Sequence, residues 1–102
     1  MKDCCRSFLN EQFGGDETVV EEIYAEYRVS MGEKLAEIML TADRRDWDAL
    51  DRLAHAVKGN ALAVGDTDMA DTAISLRGAA KLADGERASA CIERLKNLAA
   101  EI

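Results

Sequence analysis

The sequence contains no proline, and aromatic residues make up only 5% of its 102 residues. Without proline, the chain lacks the residue that interrupts helices most strongly. Apolar residues nevertheless account for 48% of the chain, so the core must consist mainly of Ala, Leu, Val, Ile and Met. Together with the many Glu, Lys and Arg residues, this composition favours helix throughout. We therefore predict an all-α protein with one domain, residues 1–102, large enough to need no metal or disulfide in its core.

Basic residues are also fewer than acidic residues. The chain has 13 Lys and Arg residues against 20 Asp and Glu residues, which gives a net charge of −7. Nucleic acids and anionic membranes attract basic surfaces, so we expect neither as a partner. No apolar run is long enough for a signal peptide or a membrane span. These features predict a cytoplasmic protein, with a monomer as the default state.

The chain has one histidine and three cysteines, and their number and spacing do not predict a metal site. Cys4, Cys5 and Cys91 form no C-x-x-C pair, and their odd number fits a reducing compartment. The adjacent Cys4 and Cys5 leave metal or lipid attachment open beside the simpler interpretation of buried thiols. The sequence also has no Ser/His/Asp triad, no paired-carboxylate site and no glycine-rich phosphate loop. None of these catalytic sites is therefore predicted.

Four turn signals divide the chain into five helical segments. They are FGGDET (13–18), ADRRD (42–46), VGDTD (64–68) and ADGE (83–86). The second segment, from Thr18 to about residue 42, repeats apolar residues at three- and four-residue steps and is predicted to be one long amphipathic helix. Because the connections are short, neighbouring helices run antiparallel. The pattern predicts an antiparallel up-and-down four-helix bundle, with a short additional N-terminal helix that covers one end.

Short polar side chains stand where these helices begin. Asp16 and Asp46 are predicted to cap the second and third helices, because an aspartate oxygen can accept a bond from a free backbone N–H of the first turn. Either Asp66 or Thr67 is predicted to cap the fourth helix. Gly65 is placed to end the third helix, since glycine readily adopts the left-handed conformation found there.

The only histidine, His55, lies in the run LAHAVKGNALAVG (53–65) of the third helix. A projection at about 100° per residue places the apolar residues of this helix on one side. These residues are Leu50, Leu53, Val57, Ala61 and Val64, flanked by Trp47 and Ala54. His55 lies opposite the centre of this stripe, so its ring is predicted to face solvent.

Two neighbours of His55 suggest that its ring accepts a phosphoryl group. Lys58, three residues further on, shares its face and can offset the charge of a bound phosphate. Gly59 weakens the helix by about 0.5–1 kcal/mol relative to Ala and leaves the approach to the ring open. A neutral imidazole nitrogen near pH 7 is a suitable nucleophile. The residues alone leave an ordinary surface histidine as the alternative.

Other residues of the third helix extend this candidate site. Asp51, one turn before His55, is placed to orient the imidazole by accepting a hydrogen bond from its other ring nitrogen. The alternative is that Asp51 belongs to a solvated face. Leu62, with Ala56 and Ala63 beside it, forms either an apolar docking patch for a partner or packing against the end of the helix.

The segment HAVKGNALAVG, with His55, Lys58, Gly59 and Gly65, resembles the motif of histidine-containing phosphotransfer (HPt) domains. FLNEQFGGDETVVEEIYAEY is similar to the first two helices of that family. RRDWDALDRLAHAVKG is similar to its phosphorylated helix, and LADGERASACIERL to the hairpin that leads into its last helix. The resemblance covers almost the whole chain, in the order that the family has.

This resemblance implies a phosphorelay intermediate with no catalytic activity of its own. His55 would accept a phosphoryl group from aspartates of response-regulator receiver domains and donate it to them, with Lys58 as the charge partner and Gly59 as the clearance residue. The partners implied are a receiver domain, a hybrid histidine kinase, or both. The receiver would bring Mg²⁺, and this chain would bind no cofactor.

The sequence departs from the family at two positions, and it leaves two other functions open. Asn60 stands where a small residue is common and is expected to bond a neighbouring backbone group. Arg77 replaces an acidic residue in the fourth helix. The alternative functions are an HPt-fold module that docks a receiver or kinase without carrying phosphate, and a generic helical scaffold. Lys58 and Gly59 favour the phosphorelay, because docking alone needs neither.

Overall fold

The computed structural model describes residues 1–102 and contains five α-helices. They are α1 (Asp3–Gln12), α2 (Glu17–Asp43), α3 (Trp47–Ala63), α4 (Thr67–Lys81) and α5 (Gly85–Ala99). The breaks between them fall at the four predicted turn signals. The long second helix begins one residue earlier and ends about one residue later than the periodicity predicts.

Helices α2 to α5 form a closed bundle. Helix α2 packs against α3 and α5, and α4 packs against the same two helices from the opposite side. The bundle is elongated, with extents of 43 × 20 × 19 Å. The predicted all-α architecture of four bundle helices and one short N-terminal helix is therefore confirmed. None of the helices combines the length and apolar character required to cross a membrane.

An aspartate caps the start of each bundle helix. The capping residues are Asp16, Asp46, Asp66 and Asp84, and each accepts a hydrogen bond from the backbone N–H three residues further on. This bond satisfies one of the N–H groups that the first turn of a helix leaves free. The caps predicted at Asp16 and Asp46 are confirmed. Of the two candidates at α4, Asp66 is the cap and Thr67 is the first helical residue.

The inward face of α3 differs in one respect from the projected stripe. Leu50, Val57, Ala61 and Val64 are buried as predicted, but Leu53 is only half-buried and Ala54 is completely buried. The reason is that α3 packs more extensively against α4 than against α2, so its buried face is rotated toward α4. A small residue at this point lets the two helices lie close together.

The first helix covers one end of the bundle, where α3 turns into α4. The carboxylate of Asp66 is completely buried there, and the Lys2 ammonium lies 3.0 Å from its Oδ1. The Tyr27 hydroxyl of α2 donates to Oδ2 of the same carboxylate at 2.8 Å. Phe8 of α1 lies directly against Gly65, whose φ of +73° ends α3. The predicted position of the short helix is confirmed.

The three cysteines are free and differ in exposure. Cys4 is exposed, Cys91 is half-buried and Cys5 is completely buried. Burial, reinforced by the neighbouring Cys4, raises the pKa of the Cys5 thiol to about 12. Burial also raises the pKa of Cys91. Because only the thiolate is reactive, the interpretation as an inert buried thiol holds for Cys5. No group of three His, Cys, Asp or Glu side chains is arranged to hold a metal ion.

Replacing Asp66 by alanine is expected to destabilise the protein much more than the same change at another helix cap. Asp66→Ala leaves the buried Tyr27 hydroxyl and the Lys2 ammonium without their partner, at a cost of about 3 kcal/mol. Asp16→Ala removes only an exposed capping bond, at about 1 kcal/mol. Urea unfolding of the two variants measures the difference. Equal losses would show that the buried cluster adds nothing to the cap.

Alanine at Gly65 is expected to strain both the backbone and the packing of α1. A left-handed residue other than glycine costs about 1 kcal/mol, and a Cβ at position 65 would lie 2.5 Å from the Phe8 Cβ. Overpacking adds roughly 1–3 kcal/mol. Gly15→Ala is the matched control, since its φ of +78° is similar but nothing lies within 4 Å of the added Cβ. Unfolding free energies of the two variants should differ by the packing cost alone, and similar values would contradict the Phe8 contact.

Candidate functional site

His55 lies near the middle of α3, on the side turned away from the core, and its ring is exposed. The flanking residues Ala54 and Val57 are completely buried. The rotation of α3 about its own axis is therefore set by the burial of its apolar residues, as the projection predicts. The structure agrees with the predicted exposure of the histidine.

Arg77 of α4 contacts the imidazole directly. Its Nη1 lies 3.0 Å from Nδ1 of His55, and its Nε donates to Oδ1 of Asp51 at 2.9 Å. A guanidinium group has no acceptor, so it donates in both bonds and Nδ1 of His55 is the acceptor. A neutral imidazole that accepts at Nδ1 carries its proton on Nε2. The other ring nitrogen, Nε2, has no hydrogen-bond partner within the chain.

The direct bond predicted between Asp51 and His55 is not formed. The structure pairs each of the two residues with Arg77, which reaches across from α4 and lies between them. The hydrogen bond and the charge of Arg77 hold the pKa of the Asp51 carboxyl below its usual value. Asp51 is thus connected to the ring through Arg77. Sequence spacing within α3 could not reveal this, because the partner belongs to another helix.

Lys58 and Gly59 lie one turn beyond His55. The half-buried Lys58 takes part in none of the salt bridges of the structure, so its ammonium is available to an incoming anion. Gly59 is exposed, and a Cβ built on it would meet nothing within 4 Å. The space above this part of α3 is therefore open to a partner molecule.

The residues predicted as a docking patch occupy different parts of α3. Leu62 is 49% exposed and lies on the histidine's own face, two turns further on. Ala56 lines a groove between α3 and α2 that Leu40 and Leu53 also line. Ala63 lines a second groove between the same helices, beside Ile23 of α2. The sequence reasoning missed Ile74, which is also 49% exposed and lies one turn before Arg77 on α4.

Asn60 also has a different partner from the one expected. Its Nδ2 donates to the Ser30 hydroxyl of α2 at 3.0 Å rather than to a backbone group. The backbone groups near Asn60 already take part in helical hydrogen bonds, whereas the Ser30 hydroxyl faces it across the α2–α3 contact. Asn60 thus links α3 to α2 and lies outside the site around His55.

The charge around His55 is opposite in sign to that of the whole chain. Arg52 and Lys58 lie on its face of α3, at three residues before and after the ring. From α4 come Arg77 and Lys81, and the positive charges of both contribute to the lowered pKa of Asp51. An exposed imidazole among cations, in a chain of net charge −7, can accept a phosphoryl group and hold the charge that it brings.

Comparison with known protein families agrees with this geometry. The Hpt domain family model matches residues 22–102, which comprise most of α2 and the whole of α3, α4 and α5. Helix α1 lies outside the matched range. No curated protein and no solved structure matches the chain. Hpt domains are phosphotransfer carriers of two-component phosphorelays that interact with receiver domains and histidine kinases. The family model covers most of the sequence, and the helical bundle and the exposed histidine of α3 are consistent with it. We conclude that the chain belongs to the Hpt domain family.

Proposed function

We propose that His55 is the phosphoacceptor of a phosphorelay, receiving a phosphoryl group from one receiver-domain aspartate and passing it to another. The observation that carries this proposal is the environment of the ring. Nδ1 is occupied by Arg77, so Nε2 is the nitrogen open to a partner. Lys58 and Arg77 supply positive charge near the ring, and Lys81 adds positive charge next to Asp51.

The transfer needs little chemistry from this chain. After the ring proton has moved from Nε2 to Nδ1 by exchange with water, the lone pair of Nε2 forms the bond to phosphorus. The P–O bond to the receiver aspartate breaks, and its electron pair returns to the carboxylate. The ring is then cationic and loses the proton on Nδ1 to solvent. Lys58 offsets the phosphate charge from the adjacent turn. We expect the receiver to supply the acidic pocket and Mg²⁺, and this chain to bind no cofactor.

The partner is expected to dock over the face of α3 that carries His55. Leu62 provides a half-exposed apolar contact on this face, and Ile74, one turn before Arg77, provides another on α4. Ala56 and Ala63 border the face on the α2 side. A small apolar centre with a charged rim suits a transient complex with a receiver or with a hybrid histidine kinase. The protein would act as a monomer within such a complex.

Incubation with a phosphorylated receiver domain is expected to transfer labelled phosphate to this chain. The label should be acid-labile and base-stable, because an N–P bond to imidazole breaks readily once the ring is protonated. His55→Gln should abolish the label, and it should alter the unfolding free energy by less than about 0.5 kcal/mol because the ring is exposed. Binding of the receiver without any labelling would instead support the docking module.

Gly59→Ala is expected to make the protein more stable but a poorer phosphate carrier. The added methyl group stabilises the helix by about 0.5–1 kcal/mol, and it projects into the open space beside the ring. Gly32→Ala is the matched control, because Gly32 is also an exposed helical glycine with nothing within 4 Å of the added Cβ. Both variants should gain similar stability in urea unfolding. Only Gly59→Ala should slow transfer, by roughly tenfold, since small misplacements of reacting atoms are costly. Equal transfer rates in the Gly59→Ala and Gly32→Ala variants would show that Gly59 is not needed to keep the approach to the ring open.

A further inference from the structure

Arg77 is held in one position by two hydrogen bonds from the same planar group. Nε donates to Asp51 at 2.9 Å and Nη1 to Nδ1 of His55 at 3.0 Å. The Arg77 and Asp51 side chains are 26% and 27% exposed, so water is partly excluded from the bridge. The fork geometry of guanidinium makes the two bonds mutually supporting.

The nature of the donor determines where His55 carries its proton. Guanidinium remains protonated in proteins and cannot accept a hydrogen bond. While the bond to Arg77 exists, Nδ1 must therefore present its lone pair, and the proton of the neutral ring must be on Nε2. The nitrogen that is open to a partner is thus the protonated one, without a free lone pair.

We propose that Arg77 is a positioning residue that controls the protonation of Nδ1 in His55, and so controls both the acceptance and the retention of the phosphoryl group. This inference rests on the proposed phosphoacceptor role of His55. It assigns Arg77 a function that Lys58 cannot supply, since Lys58 lies one turn further along α3 and has no bond to the ring.

Acceptance requires Arg77 to release Nδ1. The ring exchanges its proton with water, so that Nδ1 becomes protonated and Nε2 gains the lone pair that attacks phosphorus. The P–O bond to the receiver aspartate breaks with its electron pair returning to oxygen, and the ring becomes an N-phosphorylated cation. Loss of the Nδ1 proton to water restores a lone pair there, and Nη1 of Arg77 donates to it again. Asp51 keeps hold of Nε throughout and limits how far the guanidinium moves.

Retention follows from the same bond. When water attacks phosphorus, the N–P bond breaks and its electron pair goes to Nε2. The imidazole leaves readily only if Nδ1 has taken up a proton, because the leaving ring is then neutral. A guanidinium donating to Nδ1 opposes that protonation. The charged groups around the ring come from two helices: Asp51, Arg52 and Lys58 belong to α3, and Arg77 and Lys81 belong to α4. Only Arg77 bonds the ring.

Nitrogen-15 NMR of histidine-labelled protein tests the tautomer without any phosphate. His55 is the only histidine, so a single ring is observed. At mildly alkaline pH, Nδ1 of the native protein should show the chemical shift of an unprotonated nitrogen and Nε2 that of a protonated one. Arg77→Ala should move both shifts toward a mixture of tautomers, and Arg77→Met should do the same while keeping the aliphatic packing of the side chain. Arg94→Ala, the control, removes an exposed positive charge from α5, which is not packed along α3, and should leave the shifts unchanged. A protonated Nδ1 in the native protein would overturn the proposal.

The lifetime of the phosphorylated protein tests retention. After labelling by a phosphorylated receiver or by phosphoramidate, and removal of the donor, Arg77→Ala and Arg77→Met should lose phosphate to water about tenfold faster than the native protein. Arg94→Ala should match the native protein. Absence of label from the native protein would refute the phosphoacceptor role, and the NMR shifts would then still report whether Arg77 holds the ring. A native label with an unchanged lifetime in the two Arg77 variants would overturn the present inference and leave the phosphoacceptor role standing.

Discussion

The burial of the apolar face of α3 is the constraint on which the candidate site depends. Leu50, Ala54 and Val57 are completely buried, and burying one large aliphatic side chain contributes about 1.5–3 kcal/mol. Turning α3 far enough to hide His55 would expose several of these side chains at once. Burial of these apolar side chains therefore keeps the imidazole exposed to solvent, and the ring itself need not be buried. A carrier that must present one atom to a protein partner gains a fixed orientation from this arrangement.

The contact between α3 and α4 determines which side chains surround the exposed ring. The turn between the two helices is short, and its end is anchored by the buried Asp66, which bonds Lys2 and Tyr27. With this end fixed, the antiparallel register places Arg77, about one turn before the end of α4, beside His55 near the middle of α3. Small residues in the contact bring the helices close enough for a guanidinium to reach the ring and Asp51 together. The buried cluster around Asp66 and the hydrogen bonds of Arg77 thus lie near opposite ends of α4.

The division of chemistry between this chain and its partners follows from what its surface offers. The site provides an imidazole, a cationic surround and an open approach, which suit a group that is accepted and passed on. Membership of the Hpt family places the protein in two-component phosphorelays, where receivers and kinases are the partners of such domains. The hydrogen bond from Arg77 to Nδ1 of His55 is a contact that this chain makes to the imidazole without any partner.

The sequence by itself determined the helices, the caps of α2 and α3 and the outward direction of His55. These features depend on residues three or four positions apart, and the geometry of a single helix fixes how such residues lie relative to one another. Asp16, Asp46 and Gly65 are examples, because each is found where it is predicted. The partners of Asp51, Asn60 and Asp66 were decided only by the tertiary structure. Their hydrogen bonds join residues 26, 30 and 39 or more positions apart, and no periodicity within one helix specifies how its neighbours rotate against it. For that reason Arg77, read in the sequence as a departure in the fourth helix, is found at the centre of the site.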